Sequence, residues 1–187
     1  MNMNLKLTKQ ELEQAYNKIN HEYNKEVKMI LDESEYTRYK RLRAFKGLWA
    51  EKHGYYTLTQ HIPSHFIKTN LLHTTDNDRT VDIDLQIMFP WDINIDAKAG
   101  FSYSKSWNRN LFDYFYICEV IIPQQYTTEI SGYNILNDDY DALYDSKEIV
   151  FNPHGFYKFE DAYKDGYIKK YKMISVEDFV KQVWLGK

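Results

Sequence analysis

Apolar residues recur every three or four positions along the first part of the chain, which is the spacing of one helix face. This stripe extends from Leu12 to Leu31. Just before it, Thr8 and Glu11 have the spacing of a capping box, in which each side chain satisfies a free backbone amide of the other residue. The pattern therefore predicts one long helix from about residue 8 to residue 31.

A second helix is predicted directly after a polar interruption at residues 32–34. Ser34 can cap its first turn, and the helical pattern continues to about Lys52. We expect Gly54 to end this helix, because helices often end at a glycine in the left-handed conformation.

Beyond Gly54 the pattern changes to short runs of β-branched and aromatic residues, or to alternating apolar and polar positions, which are typical of strands. Residues 79–89 and 93–101 alternate, and the Pro-Trp-Asp sequence between them predicts a tight turn. The predicted strands are residues 55–62, 79–89, 93–101 and 113–122, the last of them fully buried.

The C-terminal third predicts a strand at residues 129–136, a helical turn at 138–143 and a strand at 147–159 that is interrupted by Pro-His-Gly. Ser175 and Asp178 can cap a last helix over residues 176–184. Helices come first and strands follow, so we expect an α/β or α+β fold with a mixed sheet.

Composition places the chain among globular proteins with a substantial core. It has 187 residues, a formal net charge of −3 and one Cys. One domain fits this length, and a single Cys excludes an internal disulfide framework and favours a reducing compartment. No apolar run approaches the ~20 residues of a membrane span, and no apolar signal core follows Met1, so we expect a cytoplasmic protein without a membrane partner.

Candidate chemistry lies in Asp84 and in Asp96-Ala97-Lys98, which follows twelve residues later. Side chains alternate along a strand, so Asp96 and Lys98 point the same way. Asp84, on the neighbouring strand, can bring a second carboxylate beside Asp96. Two such carboxylates repel each other, and a hard divalent cation such as Mg²⁺ relieves this repulsion. Asp82 lies on the same strand face and is the alternative first acid.

These residues resemble the motif of the PD-(D/E)XK nuclease superfamily, with Asp84 as the first acid and Asp96-x-Lys98 as the second element. Ile83 stands where the name of the motif has Pro. Residues 46–56 (KGLWAEKHGYY) resemble the superfamily's first core helix, in which Glu51 would complete the metal site. The resemblance covers roughly residues 40–145 and extends to the restriction-like and phage-encoded members.

The resemblance implies a restriction-endonuclease-like mixed central sheet flanked by helices in a single domain of residues 1–187. Residues 1–35 would form a helical extension and 146–187 a C-terminal extension. It also implies a Mg²⁺- or Mn²⁺-dependent nuclease that hydrolyses phosphodiesters, most simply of DNA, in a bacterial or phage-infected cell. Asp84, Asp96 and Glu51 would bind the metal, and Lys98 would act on the attacking water.

Cations that can contact nucleic acid occur at two places in the sequence. Lys105 and Arg109 follow the motif strand, and Arg41 and Lys46 belong to a basic helical segment with interleaved aromatic residues. Either set also fits an ordinary solvated surface. The acidic net charge argues against tight non-specific binding of duplex by this chain alone, so we expect a homodimer or a protein partner for targeting.

Other interpretations remain open at this point. Asp84, Asp96 and Lys98 also fit an exposed strand face with a weak ion pair. The chain then would be a non-catalytic, nuclease-like binding or structural module, or an adaptor that binds protein through its 17 tyrosines. His61 and His65 flank Pro63 and lack a third ligand for zinc. Cys118 is expected in the core, and His154 in a structural or exposed turn.

Overall fold

The computed structural model describes residues 5–19, 23–74, 80–103, 111–144 and 146–186, with side chains described for all of these except 70–74, 80–82 and 146. The helices are α1 (Lys9–Lys18), α2 (Lys25–Ile30), α3 (Glu33–Thr59), α4 (Phe159–Asp165) and α5 (Val176–Val183). The strands are β1 (Ile67–Thr74), β2 (Thr80–Ile87), β3 (Ile93–Lys98), β4 (Tyr114–Ile121), β5 (Thr127–Ile130), β6 (Tyr133–Leu136) and β7 (Val150–Lys158).

Five strands form a mixed sheet in the order β1-β2-β3-β4-β7, and β5 and β6 form a separate hairpin. The pairs β1–β2 and β2–β3 are antiparallel, whereas β3 and β4 are parallel. The predicted class, a mixed α/β protein with a mixed sheet, is confirmed at this level.

The helices differ from the prediction in two ways. The capping box of Thr8 and Glu11 is present, but the predicted helix over residues 8–31 was wrong: α1 ends at Lys18, and α2 begins after Asn24, whose φ of 50° is left-handed. The strand predicted at residues 55–62 was also wrong, because α3 continues past Gly54 to Thr59. Leu58 is fully buried there, so packing of the helix outweighs the β propensity of the segment.

The predicted hairpin at residues 79–101 and the buried strand at 113–122 are confirmed as β2, β3 and β4. Residues 129–136 form most of a hairpin instead of one strand, with its turn at Ser131-Gly132, where both φ angles are positive. The strand β7 continues through the Pro-His-Gly sequence. Ser175 caps α5 by accepting a hydrogen bond from the Asp178 amide at 3.1 Å, as predicted. The strand β1 was not predicted.

The chain divides into two compact units, Met1–Trp49 with Val120–Phe151 and Ala50–Glu119 with Asn152–Lys187. A core cluster of the first unit contains Val27, Leu31, Tyr36, Tyr39 and Ile135. A core cluster of the second unit contains Ile83, Leu111, Phe112, Phe115, Ile117, Tyr157, Phe159, Ala162 and Ile168. The division into an N-terminal extension, a nuclease-like core and a C-terminal extension stays a prediction.

Across the part of the chain that the structure describes, no helix combines the length and the apolar character needed to cross a membrane.

Candidate active site on strands β2 and β3

The first acid, Asp84, lies where β2 and β3 stop pairing in the regular way. The antiparallel ladder between the two strands includes the pairs Leu85–Ile95, Gln86–Asn94 and Ile87–Ile93. Beyond Leu85, the backbone amide of Ala97 donates a hydrogen bond of 2.7 Å to the Asp84 carboxylate. The Asp84 side chain therefore takes the place of a backbone acceptor next to Asp96.

The second acid and the lysine lie two residues apart on β3, so they share one side of the strand. Nζ of Lys98 is 2.7 Å from Oδ2 of Asp96, and the two side chains are only 22% and 12% exposed. On its other side β3 pairs with β4, where Asp96 lies opposite Phe115 and Lys98 opposite Ile117. These two apolar neighbours are fully buried, so the ion pair is held against the core and is more than a loose surface contact.

The helix α3 brings Glu51 to the same place. Its Gly54 packs so closely on the sheet that a Cβ atom would lie 2.8 Å from Cδ1 of Tyr116 and 2.9 Å from Cδ1 of Leu85. Gly54 thus ends no helix; it allows α3 to approach the strands. One turn earlier, the charge of Glu51 is close enough to raise the pKa of Asp84.

Electrostatics single out Asp84 within this group. Its pKa is raised well above its usual value, first by burial, then by the charges of Glu51 and Asp96 and by a hydrogen bond to Asp96, while Lys98 opposes the shift. We call Glu51, Asp84, Asp96 and Lys98 the carboxylate cluster. Three carboxyl groups face one ammonium group, so the fully ionised cluster carries an excess of negative charge.

This charge excess matches the donor chemistry of a hard divalent cation, which prefers carboxylate oxygens. In the described residues, however, no group of three or more His, Cys, Asp or Glu side chains already has an arrangement that could hold a metal ion. Asp84 and Asp96 are hydrogen-bonded to each other and Lys98 pairs with Asp96. The side chains of the cluster thus bond to one another. Asp82 belongs to β2, opposite Leu72, but its side chain lies outside the description.

A second polar group on α3 was missed at the sequence level. Nδ1 of His53 lies 2.6 Å from the Tyr116 hydroxyl and 3.3 Å from the Thr57 hydroxyl. Burial lowers the pKa of His53 to about 4 and raises the pKa of Tyr116, so both groups are neutral near pH 7. We call these three residues the histidine–tyrosine cluster. The i, i+4 spacing of His53 and Thr57 was a signal for it, but only once helix α3 was known to continue.

A third polar group joins β4 and β7. One carboxylate oxygen of Glu119 accepts hydrogen bonds from Asn152 at 2.9 Å and lies 2.7 Å from Nε2 of His154. The hydrogen bond from His154 is the largest of the effects that lower the pKa of Glu119. The expectation of a structural or exposed turn at His154 was wrong as to the turn, since the residue belongs to β7; its side chain is 25% exposed and pairs with Glu119.

The residues predicted to contact nucleic acid fall into two groups. Lys105 and Arg109 lie outside the described residues. Arg41 belongs to the first compact unit, where it pairs with Glu13 at 3.3 Å. Lys46 belongs to the same unit, and its pKa is lowered by burial and by the charge of Arg43.

The remaining candidate ligands of the sequence have ordinary roles. His61 and His65 are exposed. Cys118 is buried, and burial raises the pKa of its thiol to about 12, as expected for an unreactive core residue.

Comparisons with known proteins give no assignment: no protein family, no curated protein and no solved structure matches the chain.

Proposed function

We propose that this chain is a metal-dependent nuclease that hydrolyses phosphodiester bonds, most simply of DNA, at the carboxylate cluster. One observation carries the proposal: Asp84 is buried beside two further carboxylates, and the pKa of Asp84 is raised first by this burial and then by the charges of Glu51 and Asp96. A structural role does not require such an arrangement, because burying like charges together opposes folding. Sites that bind a cation or move protons are where such pKa shifts concentrate.

The residues have separate tasks in this proposal. Asp84, Asp96 and Glu51 would hold Mg²⁺ or Mn²⁺, which when bound supplies positive charge at the phosphate and a readily ionised water. Lys98, fixed by Asp96 at 2.7 Å, orients the attacking water and offsets negative charge on the phosphate as it develops. The hydrogen bond from the Ala97 amide keeps Asp84 in place while this happens.

The finer fold assignment is part of the same proposal. A mixed sheet with an antiparallel pair β2–β3, a parallel neighbour β4 and a helix that delivers Glu51 agrees with a restriction-endonuclease-like, PD-(D/E)XK core. We place the metal ligands at the point where β2 and β3 separate. The net charge of −3 supports a targeting partner or a second copy of the chain for binding to duplex.

The test is cleavage of supercoiled plasmid and of end-labelled single strands with Mg²⁺ or Mn²⁺. Asp96→Asn and Lys98→Ala should abolish cutting, as should a chelator. Asp92→Asn and Lys68→Ala are matched controls, since both residues are exposed and lie on or beside the same strands; they should cut like the wild type.

The alternative is a non-catalytic module with a nuclease-like fold. The ion pair between Lys98 and Asp96, which satisfies both charges without a ligand, favours it. Wild-type protein that cuts no substrate and gains no thermal stability from Mg²⁺ or Mn²⁺ would decide for this alternative.

A further inference from the structure

The third polar group lies close to Lys98, although it belongs to other strands. Lys98 is opposite Ile117 in the parallel pair β3–β4. Glu119 follows Ile117 by two residues and therefore points to the same side of the sheet. With a rise of ~3.3 Å per residue and strands ~4.8 Å apart, the Cα atoms of Lys98 and Glu119 are about 8 Å apart. Glu119, whose carboxylate lies 2.7 Å from Nε2 of His154, is therefore on the same side of the sheet as Lys98.

A second, independent contact ties His154 to the end of β3. The ring of Phe101, three residues after Lys98, meets the His154 ring edge-on with centroids 4.6 Å apart. Nζ of Lys170 lies 4.4 Å from the centroid of the same Phe101 ring. The imidazole is therefore positioned by β4, by β7 and by the segment that leaves β3.

The backbone of β7 has a positive φ angle at Gly155, directly after His154. Gly155 has a φ of 101°, and a Cβ atom at this position would overlap the carbonyl oxygen of Ile174. Such a local irregularity in a strand can redirect a neighbouring side chain. Asn152 and His154, on the N-terminal side of Gly155, both reach the carboxylate of Glu119.

We propose that His154, oriented by Glu119 and Asn152, is a further catalytic residue that protonates the leaving oxygen during phosphodiester hydrolysis. This inference rests on the proposed nuclease function. The oxygen of water forms a bond to phosphorus as the ester P–O bond breaks, and the proton lost by the water passes to solvent. The imidazolium of His154 gives its proton to the departing oxygen, and the imidazole then regains a proton from solvent. Glu119 on β4 is paired with His154, and the charge of Lys170 acts on the Glu119 carboxylate.

A general acid can be bypassed when the leaving group needs no proton. The experiment therefore compares two substrates, an oligonucleotide with an ordinary sugar leaving oxygen and thymidine 5′-(p-nitrophenyl phosphate), whose nitrophenolate departs unaided. His154→Gln should lower kcat on the oligonucleotide by about 10²–10⁴-fold and leave kcat on the nitrophenyl ester nearly unchanged. Glu119→Gln should give a smaller loss of the same selectivity, and His61→Gln, at an exposed histidine, should behave like wild type.

Three results would overturn the inference, and they can be told apart. Equal losses on both substrates would mean that His154 only supports the fold. Wild-type rates for His154→Gln on both substrates would remove His154 from the reaction while leaving the nuclease intact. Wild-type protein that cuts neither substrate would overturn the nuclease proposal together with this one. Thermal melting of each variant identifies unfolding, and Glu119→Gln, which keeps the shape of the side chain, then carries the test.

Discussion

The helix α3 contributes residues to two polar clusters, and these clusters differ in charge. In the histidine–tyrosine cluster the groups are neutral and bonded to one another, with a His53–Tyr116 distance of 2.6 Å. The carboxylate cluster comprises three acids and one lysine, and the pKa of Asp84 is raised first by burial and then by the charges of Glu51 and Asp96. Neutral, satisfied polar groups stabilise a core, whereas an excess of like charge opposes folding unless something binds to it. This contrast supports the proposal that one cluster is structural and the other performs chemistry.

The largest expected difference between the two clusters is in the cleavage rate of their variants. Asp84→Asn keeps an oxygen for the Ala97 amide but removes the charge, so cleavage should fall by about 10²–10³-fold, as for the loss of one electrostatic contact in a transition state. Tyr116→Phe changes the other cluster and should leave cleavage rates unchanged. Initial rates on plasmid DNA measure both. Equal losses in the two variants would show that the clusters do not differ in role.

A bound metal ion should stabilise the protein only when the carboxylate cluster is intact. At one hundred times its dissociation constant, a bound ion adds about 2.7 kcal/mol to the free energy of unfolding, which for a chain of this size raises Tm by about 5–10 °C. Thermal melting with Mg²⁺ and with chelator measures this. The rise should vanish in Asp96→Asn and persist in Tyr116→Phe; a rise that survives in Asp96→Asn would locate the ion elsewhere.

The histidine–tyrosine cluster should matter for stability. His53→Leu removes the 2.6 Å partner of the buried Tyr116 hydroxyl and leaves it only the longer contact with Thr57 at 3.4 Å. We therefore expect a loss of up to about 1–3 kcal/mol, the cost of a fully unsatisfied buried group. Urea unfolding at pH 7 measures this loss. Cleavage by the folded variant should match wild type, and a folded variant that has lost cleavage would connect the two clusters functionally.

The smallest effect is a difference in the pH dependence of stability with chelator present. The pKa of Asp84 is raised in the fold from 3.8, so the neutral form is favoured. The contribution of Asp84 to stability is therefore full below pH 3.8 and is lost as the pH rises through the folded pKa. Asp84→Asn should melt higher than wild type at neutral pH and lose this advantage below pH 3.8.

His53 gives the opposite slope. Its pKa falls from 6.5 to about 4 in the fold, so its contribution is full above pH 6.5 and is lost as the pH falls towards 4. His53→Leu should flatten this acid limb. Melting curves from pH 3 to pH 8 follow both effects; parallel curves for the two variants would contradict the assigned charge states.

The parts of the fold that the sequence predicted are those controlled by local pattern. Alternation predicted β2 and β3 and their hairpin, and side-chain capping predicted the starts of α1 and α5. The errors arose where packing at a distance decides. Residues 55–59 have strand-like composition but continue α3, because Gly54 lets the helix lie against Tyr116 and Leu85.

The candidate site shows the same difference between features that a local pattern predicts and features that depend on contacts between distant segments. Asp96 and Lys98 are neighbours on one strand, so alternation alone predicted their ion pair. The proximity of Glu51 to Asp84 came from the resemblance, because no local rule links a helix to a strand thirty residues later. The contact between His154 and Glu119 was not predicted, because the two residues lie on different strands and the register of the two strands is not written in either segment.

Gly54 also affects the pKa of Asp84. Because Gly54 has no side chain, α3 lies close to Tyr116 and Leu85 of the sheet. Glu51 lies one turn earlier on the same helix, and its charge helps to raise the pKa of Asp84. Any larger residue at position 54 would push the helix outward, weaken the influence of Glu51 and let Asp84 ionise more easily. The size of residue 54 therefore influences the pKa of Asp84 through the position of α3, and part of this influence depends on Glu51.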